Sequence, residues 1–449
     1  MNEKLLSVGI DIGTTTTQLV FSHLCIKNEA SAFRVPQFSI AEKEIIYRSE
    51  ICFTPLLSDT VIDAEDVRRI VDAQYKAAGI EKTDVQTGAV IITGETARKE
   101  NARDVLHALS GFAGDFVVAT AGAALESVLA GKGSGAAAYS EAHHCAVLNL
   151  DIGGGTTNMA LFEDGKLRDT GCLNVGGRLM KFDKNGRCTY LSPVLRPYFS
   201  ENADPAEVCT FLAEILEEAV GLREGSRVRD FITDKLCKPA SLISFSGGVA
   251  DLIDDTPRDT FAYGDLGVLL GKAICRSRLC KENYLRAKET IRATVIGAGN
   301  HTTELSGSTI FYDNAAFPLK NLPVTSLTEQ EEADEPQALA THIKNRLALF
   351  PDSPAVLALR GKQNPKFSEL CKLADGIALG LRAQTHTPLI IAVEADMGKA
   401  LGQAVGMLLP DTPMICLDGV HLPDGAYLDI GAPIAGGQVL PVVIKTLVI

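Results

Sequence analysis

Two short segments carry an acid, glycines and hydroxyls in matching arrangement. One runs Leu6-Ser-Val-Gly-Ile-Asp11-Ile-Gly13-Thr14-Thr15-Thr16-Thr17-Gln-Leu-Val-Phe21. The other runs Ala146-Val-Leu-Asn-Leu-Asp151-Ile-Gly153-Gly154-Gly155-Thr156-Thr157-Asn158-Met-Ala-Leu-Phe162. Each reads as an apolar strand, a tight turn and a second apolar strand. Glycine removes the Cβ from the turn, so the backbone can approach a ligand closely. Exposed turn N–H groups suit phosphate oxygens, with Thr14, Thr15 and Thr16 beside one turn and Thr156 and Thr157 beside the other. Asp11 and Asp151, each at a strand end, would face the same space and hold a hydrated Mg²⁺. A dinucleotide fingerprint would put a helix after the glycines, and a P-loop would need Gly-Lys-Ser/Thr there. Neither occurs. Either copy alone could be an ordinary glycine hairpin, whereas the pair predicts two related halves facing one nucleotide.

Other glycine turns would complete such a site. Leu173-Asn-Val-Gly176-Gly177-Arg-Leu179 follows the second hairpin closely enough to pack near phosphates. Leu242-Ile-Ser-Phe-Ser246-Gly247-Gly248-Val-Ala-Asp251-Leu-Ile253 reads as strand, Cβ-free turn and helix start, a place for a flat base to stack. Ala293-Thr-Val-Ile-Gly297-Ala-Gly299-Asn300 competes with it as another strand and glycine turn. Glu95 and Arg98, at a helix start after the strand Ala89–Thr93, could reach nucleotide or water, and could equally cap the helix.

The elements that must hold these turns follow from periodicity. Asp63 to Ala78 places Val67, Ile70, Val71 and Tyr75 on one helical stripe, with Gly79 to end it. Asp204 to Ala219 is a second amphipathic helix with Pro205 near its start. Phe116 to Ala130 joins a strand to a helix rich in small residues, a close-approach hinge at Ala123 and Ala124. Gly131 to Ala138 reads as a loop, and Gly264 to Ile274 as a second small-residue connecting helix. Pro318 to Glu335 reads as a linker. Beyond it, helices near 337–349 and 367–381 alternate with strands at 355–359 and 388–393. The expected organisation is 1–143 and 144–310 for the two halves, and 311–449 for a further α/β region.

Composition bounds the function. A chain of 449 residues exceeds one core's usual size. Its 43 basic and 56 acidic residues, a formal charge of −13, argue against nucleic acid as partner. Apolar runs such as Phe116 to Leu125 are too short to span a membrane, and Glu3, Lys4 and Asp11 interrupt an export signal. Eleven cysteines without a CxxC pair fit a reduced cytoplasm. His143-His144-Cys145 resembles a metal cluster, but adjacent side chains rarely converge.

The paired hairpins resemble the phosphate motifs of the actin, sugar-kinase and heat-shock-chaperone ATPases. Four stretches narrow this further: Asp11 to Val20, Ile92-Thr-Gly-Glu-Thr-Ala-Arg-Lys-Glu-Asn101, Leu150 to Asn158 and Phe245 to Asp251. With the closing Gly431 to Leu447 they make the whole chain similar to the ethanolamine ammonia-lyase reactivating proteins, the EutA family. The resemblance implies an α/β protein of actin-like ATPase fold, with two ribonuclease-H-like halves and an additional C-terminal α/β region. It implies ATP and Mg²⁺ as cofactors and ethanolamine ammonia-lyase as protein partner, in the cytoplasm and at a bacterial microcompartment. The machine would release damaged cobalamin so that intact adenosylcobalamin can enter; the number of subunits, including a homo-oligomer, stays open. Asp11, Asp151 and Glu95 would be the catalytic and metal-orienting acids. Gly13 to Thr16, Gly153 to Thr157, Gly176, Gly177, Ser246, Gly247 and Gly248 would hold nucleotide.

One departure stands out. Heat-shock chaperones begin the first connecting helix with Glu-Pro, whereas Ala119-Thr120-Ala121-Gly122 has no acid, and Glu126 lies a turn or more further on. Slow hydrolysis, with nucleotide as a latch, is the expectation. Two rivals share the fold. A small-molecule kinase would need an acid for the acceptor's proton, with Glu95 as candidate, and a filament protein would need a heterologous self-contact. No Asp-x-His-x-x-Gly cobalamin signature occurs, so tight direct cobalamin binding is not expected.

Overall fold

The computed structural model describes all residues except 1–2, 14–15, 29, 31–37, 59–60, 94–99, 103–104, 106–108, 110–111, 113–122, 255–256, 258, 282, 302, 308, 352, 383–386 and 446–449. Its first sheet is built on β1 (Glu3–Ile12) and β2 (Thr16–Asn28), the two arms of the first Asp-Ile-Gly hairpin. β3 (Phe38–Arg48) pairs with the far edge of β2, and the short β4 (Cys52–Phe53) with its start. β5 (Thr87–Ile92) lies parallel to β1. Both faces of β1 are covered, which is why Leu5, Val8, Ile10 and Ile12 read as a nearly continuous apolar run. The first helix, α1 (Ala64–Ala78), is capped by Asp63 and ended by Gly79 at φ 68°, and it buries Val67, Val71 and Tyr75.

The second sheet repeats the arrangement. β6 (Ala146–Ile152) and β7 (Thr157–Glu163) form the second hairpin, and β8 (Lys166–Leu173) continues the antiparallel run through the turn Asp164-Gly165. β9 (Leu242–Ser246) is parallel to β6, with β10 (Tyr284–Leu285) beyond it. In both sheets the order is therefore third, second, first, then a parallel fourth strand.

Two helices join the sheets. α2 (Ala123–Gly133) packs on β6, β7 and β8, while the last helix of this part, α6 (Ala293–His301), packs on β1, β2 and β5. They cross on bare backbone. A Cβ on Gly133 would lie 1.8 Å from the Ala293 carbonyl, and one on Gly297 would lie 2.0 Å from that of Leu129. Three expectations change here. Ala293–Asn300 is not a strand and turn but helix, because Gly297 and Gly299 sit at a spacing that fits Leu129 and Gly9, and packing overrides the strand preference of Val295 and Ile296. Gly131 to Ala138 is not a loop: Gly131 to Gly133 close α2, where Gly133 admits Ala293, and after a two-residue turn a further helix spans Ala136–His143. Ala124 does not supply the expected close approach, since it is exposed; the side chain of Ala123, the other residue of the expected hinge, lies outside the described residues.

Between these elements lie α3 (Pro205–Ala219), α4 (Gly248–Asp254) and α5 (Gly267–Arg276). α5, the expected second connecting helix, packs instead on α3 and α4, and a Cβ on Gly271 would lie 2.7 Å from the Leu252 carbonyl. Its small residues serve a contact within the second sheet's own layer, and α6 takes the connecting place.

An eight-stranded sheet forms the C-terminal part. Its strands Leu319–Ser326, Val356–Leu359, Leu389–Val393 and Met414–Asp418 are parallel neighbours, linked by the helices Pro336–Leu347, Phe367–Leu381 and Gly398–Leu408. The stretch expected as a linker is thus partly a strand with Leu322 and Val324 buried. Pro323, paired toward Tyr427, immediately precedes the residues that pair with Val356–Ala358, so its missing N–H interrupts no bond on that side. No helix among the described residues is long and apolar enough to cross a membrane.

Candidate functional site

The two hairpin turns close in the same way: Gly13 N donates to Thr16 O at 2.8 Å, and Gly153 N to Thr156 O at 2.9 Å. Both point into one cavity of about 490 Å³, lined by Asp11, Gly13, Thr16, Asp151, Gly153, Gly154, Gly155 and Thr156. That volume suits a nucleotide-sized ligand. The second turn is braced from behind. Gly177 N donates to Gly153 O and Arg178 N to Gly154 O, and Gly176 lies so close that a Cβ would be 2.4 Å from Gly154 O. Gly177 reaches the cavity wall, whereas Gly176 serves the brace.

Behind each aspartate stands a hydroxyl from the parallel strand. Thr93, just past β5, donates to Asp11 Oδ1 at 2.9 Å, and Ser246 at the end of β9 donates to Asp151 Oδ1 at 2.6 Å. Asp11 is 6% exposed and Asp151 5%. Burial pushes the Asp11 carboxyl up to about 7, against the Thr93 hydrogen bond, and the neighbouring charge of Asp151 adds to the rise. Burial likewise raises Asp151 to about 6, against the Ser246 bond. Two buried acids with raised proton affinity are poised for a cation, which would replace the missing solvation. Among the described residues no group of three or more His, Cys, Asp or Glu could hold a metal directly. A divalent cation fits here through water and phosphate oxygens.

The sign of the pH effect follows. Between about pH 4 and pH 7 the folded chain keeps a proton on Asp11 that the unfolded chain has released, so stability falls as pH rises through that window. In chelator, melting temperatures of wild type are expected to drop more steeply from pH 5 to pH 7.5 than those of Asp11→Asn. Equal slopes would remove Asp11 as the source.

The remaining wall holds residues that spacing did not single out. Gln18, opposite Asp11 in the β1–β2 ladder, donates its amide to Ile291 O at 3.0 Å. Glu126 from α2, Arg178, Asp251 from α4 and Asp265 also line the cavity, with Ile51, Phe53, Tyr263 and Thr294. Arg178 Nε lies 3.5 Å from Asp265 Oδ2. Only the cross-strand register would have pointed to Gln18; the others reach the site through tertiary packing. Gly247 and Gly248 line the cavity, and Ser246 stands behind Asp151. Thr157 does not face it: its buried hydroxyl donates to Val175 O at 2.7 Å. Thr14, Thr15 and Glu95 lie outside the described residues. Gly297 sits in the helix crossing and not in the cavity wall. Glu126, from the first turn of α2, lines the cavity, so a carboxylate of the first connecting helix does reach the wall. His143 stacks on Tyr139 instead of joining a metal cluster.

Gly247 has φ 88°, and a Cβ there would lie 2.4 Å from the Ile152 carbonyl, so substitution would strain the fold whatever the ligand. Gly248 is the cleaner probe: its Cβ would meet only Ile291 Cδ1 at 3.9 Å. Gly248→Val is expected to fold normally and to weaken adenine nucleotide binding by about 10- to 100-fold, the effect of overfilling a fitted site. Calorimetry giving unchanged affinity would move the base away from α4.

Two like-ordered sheets, matched Asp-Ile-Gly hairpins and two crossing helices around one cavity define an actin-like ATPase fold with an added C-terminal α/β region. The chain belongs to the ethanolamine utilisation protein EutA family, whose pattern it matches over residues 3–449. It is 40% identical over 463 residues to the ethanolamine ammonia-lyase reactivase EutA of Salmonella typhimurium, covering 99% of this chain and 98% of that protein. To the reactivase EutA of Escherichia coli it is 39% identical over 465 residues, with the same coverage. A solved Ppx/GppA family structure from Aquifex aeolicus aligns with a TM-score of 0.42 at 15% identity, over 66% of this chain and 97% of that one. The fold assignment rests on strand order and not on that alignment.

Proposed function

We propose that this chain is an ATP- and Mg²⁺-dependent reactivating chaperone for ethanolamine ammonia-lyase, releasing damaged cobalamin so that intact adenosylcobalamin can bind. The observation that carries the nucleotide part is the convergence of both Asp-Ile-Gly turns on one cavity. Family membership and the names of the two relatives support the choice of lyase. Gly13 to Thr16 and Gly153 to Thr156 would hold phosphates, Gly177 and Gly248 would flank the ligand, and Asp11 and Asp151 would orient Mg²⁺ through water. Bound there, Mg²⁺ would neutralise phosphate charge. The wall supports that need, since Asp11, Glu126, Asp151, Asp251 and Asp265 face it against Arg178 as the cation among the described lining residues.

Glu126 can orient a water or take its proton, so turnover need not depend on Glu95. A change at the phosphates alters the crossing of α2 and α6, and with it the angle between the sheets. A lyase that prefers one angle is then bound more tightly in one nucleotide state. The test is a cyanocobalamin-blocked ethanolamine ammonia-lyase mixed with this chain, ATP, Mg²⁺ and adenosylcobalamin. Release of the blocked cofactor and return of ammonia production are expected. No release, with brisk phosphorylation of a small acceptor, would favour the kinase reading.

A further inference from the structure

A chain of buried side chains runs from the helix crossing to the second aspartate. Ser134, directly after α2, donates to Asn149 Oδ1 at 3.0 Å; its hydroxyl also lies 3.1 Å from Gly131 O, so the proton is shared. Asn149 Nδ2 donates to Ser246 Oγ at 2.9 Å, and Ser246 Oγ donates to Asp151 Oδ1 at 2.6 Å. The direction is fixed. Ser246 has one proton, which goes to the carboxylate, so Asn149 must present its NH₂ to Ser246 and its carbonyl to Ser134. None of Ser134, Asn149 and Ser246 exceeds 1% exposure.

The near end of this chain is tied to the crossing itself. Ser134 O accepts from Lys288 N at 3.0 Å, on the segment leading into α6, and the adjacent Gly133 packs on Ala293. The first sheet is tied to α6 differently: Ser7 Oγ donates to Gly299 O, and Gln18, facing Asp11 across the first hairpin, donates to Ile291 O just before α6. There Thr93 bonds Asp11, but Gly9 occupies the position two before the aspartate that Asn149 holds in β6, and α6 rests on its bare backbone. The first hairpin thus meets α6 by close backbone contact and single side-chain hydrogen bonds, and the second is joined to the end of α2 by the chain from Ser134 to Asp151.

We propose that Ser134, Asn149 and Ser246 are positioning residues, a relay through which the ligand state of Asp151 sets the α2–α6 crossing. This rests on the nucleotide reading above. A displacement of Asp151 toward bound ligand must be followed by Ser246 and Asn149, because a close-packed interior leaves no slack and an unpaired buried amide is costly. Ser134 then moves relative to β6, and the crossing with it. Spatial continuity alone does not establish coupling, so the test reads coupling directly.

Hydrogen exchange is measured on the full chain with no ligand, with Mg²⁺ and ADP, and with Mg²⁺ and ATP, following peptides over 123–134 and 293–301. Wild type is expected to show exchange at 293–301 that depends on nucleotide. Ser134→Ala should bind Mg²⁺ and ATP within about threefold of wild type while losing most of that dependence, about tenfold. Should Ser134→Ala not fold, Ser134→Cys keeps the shape with a weaker donor and is read in the same way. A nucleotide response in the variant equal to wild type overturns the relay, as does a large loss of affinity, which would mark Ser134 as support for the site's shape. Wild type that binds Mg²⁺ and ATP without any exchange response at 293–301 also overturns it and leaves the nucleotide reading standing. Wild type that binds no nucleotide overturns both.

Discussion

Asp11→Ala is expected to abolish reactivation of the blocked lyase while leaving a folded chain that melts no lower than wild type at neutral pH. The two halves of this expectation have one cause. Asp11 is buried with its carboxyl raised to about 7, so its ionised form costs stability in the unliganded fold. Alanine removes that cost, and Thr93, which loses its acceptor, borders the cavity and can bond water there. The same substitution removes half of the acid pair that would orient Mg²⁺ at the phosphates. Cobalamin release is the measurement, with circular dichroism and a melting curve at the same pH. Full reactivation by the variant would show that the first hairpin's acid is dispensable. A sharply lowered melting temperature would show Asp11 to be structural, contrary to the direction of its shift.

Glu126→Gln is expected to lower ATP turnover by about 10²- to 10⁴-fold, the usual contribution of a positioned general base, with ATP affinity changed little. Glu126 stands in the first turn of α2 and on the cavity wall. The amide keeps the shape and removes the basicity. Phosphate release under single-turnover conditions separates this from slow product release. A variant that hydrolyses at the wild-type rate would return the role of water activation to another residue. The comparison also bears on the latch idea: if Glu126→Gln supports one round of cobalamin release without hydrolysis, binding alone drives the change of angle.

Much of this protein was legible in the sequence because its signals are local. Asp11-Ile-Gly13 and Asp151-Ile-Gly153 each declare a strand, a turn and an acid within a few residues, and hairpin closure depends on nothing further away. The same holds for α1, where Asp63, Gly79 and the stripe through Val67, Val71 and Tyr75 fix both ends and the buried face. Strand order could be inferred only by resemblance, since β1 with β5 and β6 with β9 pair across long stretches of chain.

What tertiary structure alone decided is which small-residue segment crosses which. Gly264–Ile274 and Ala293–Asn300 offer similar glycine and alanine content, and nothing local distinguishes a helix that packs on its own layer from one that bridges two sheets. The choice is made by backbone contact, Gly297 on Leu129 and Gly133 on Ala293, which a one-dimensional pattern does not contain. Glu126 illustrates the same limit. In sequence it lies a turn or more beyond the stretch where the acid is expected, yet the helix that begins at Ala123 turns it to the cavity. Thr157 shows the converse: a hydroxyl beside a phosphate turn, drawn by strand alternation into the opposite face, where it donates a hydrogen bond to Val175 O. Sequence determined which groups exist and how each turn closes; packing determined which of them share a cavity.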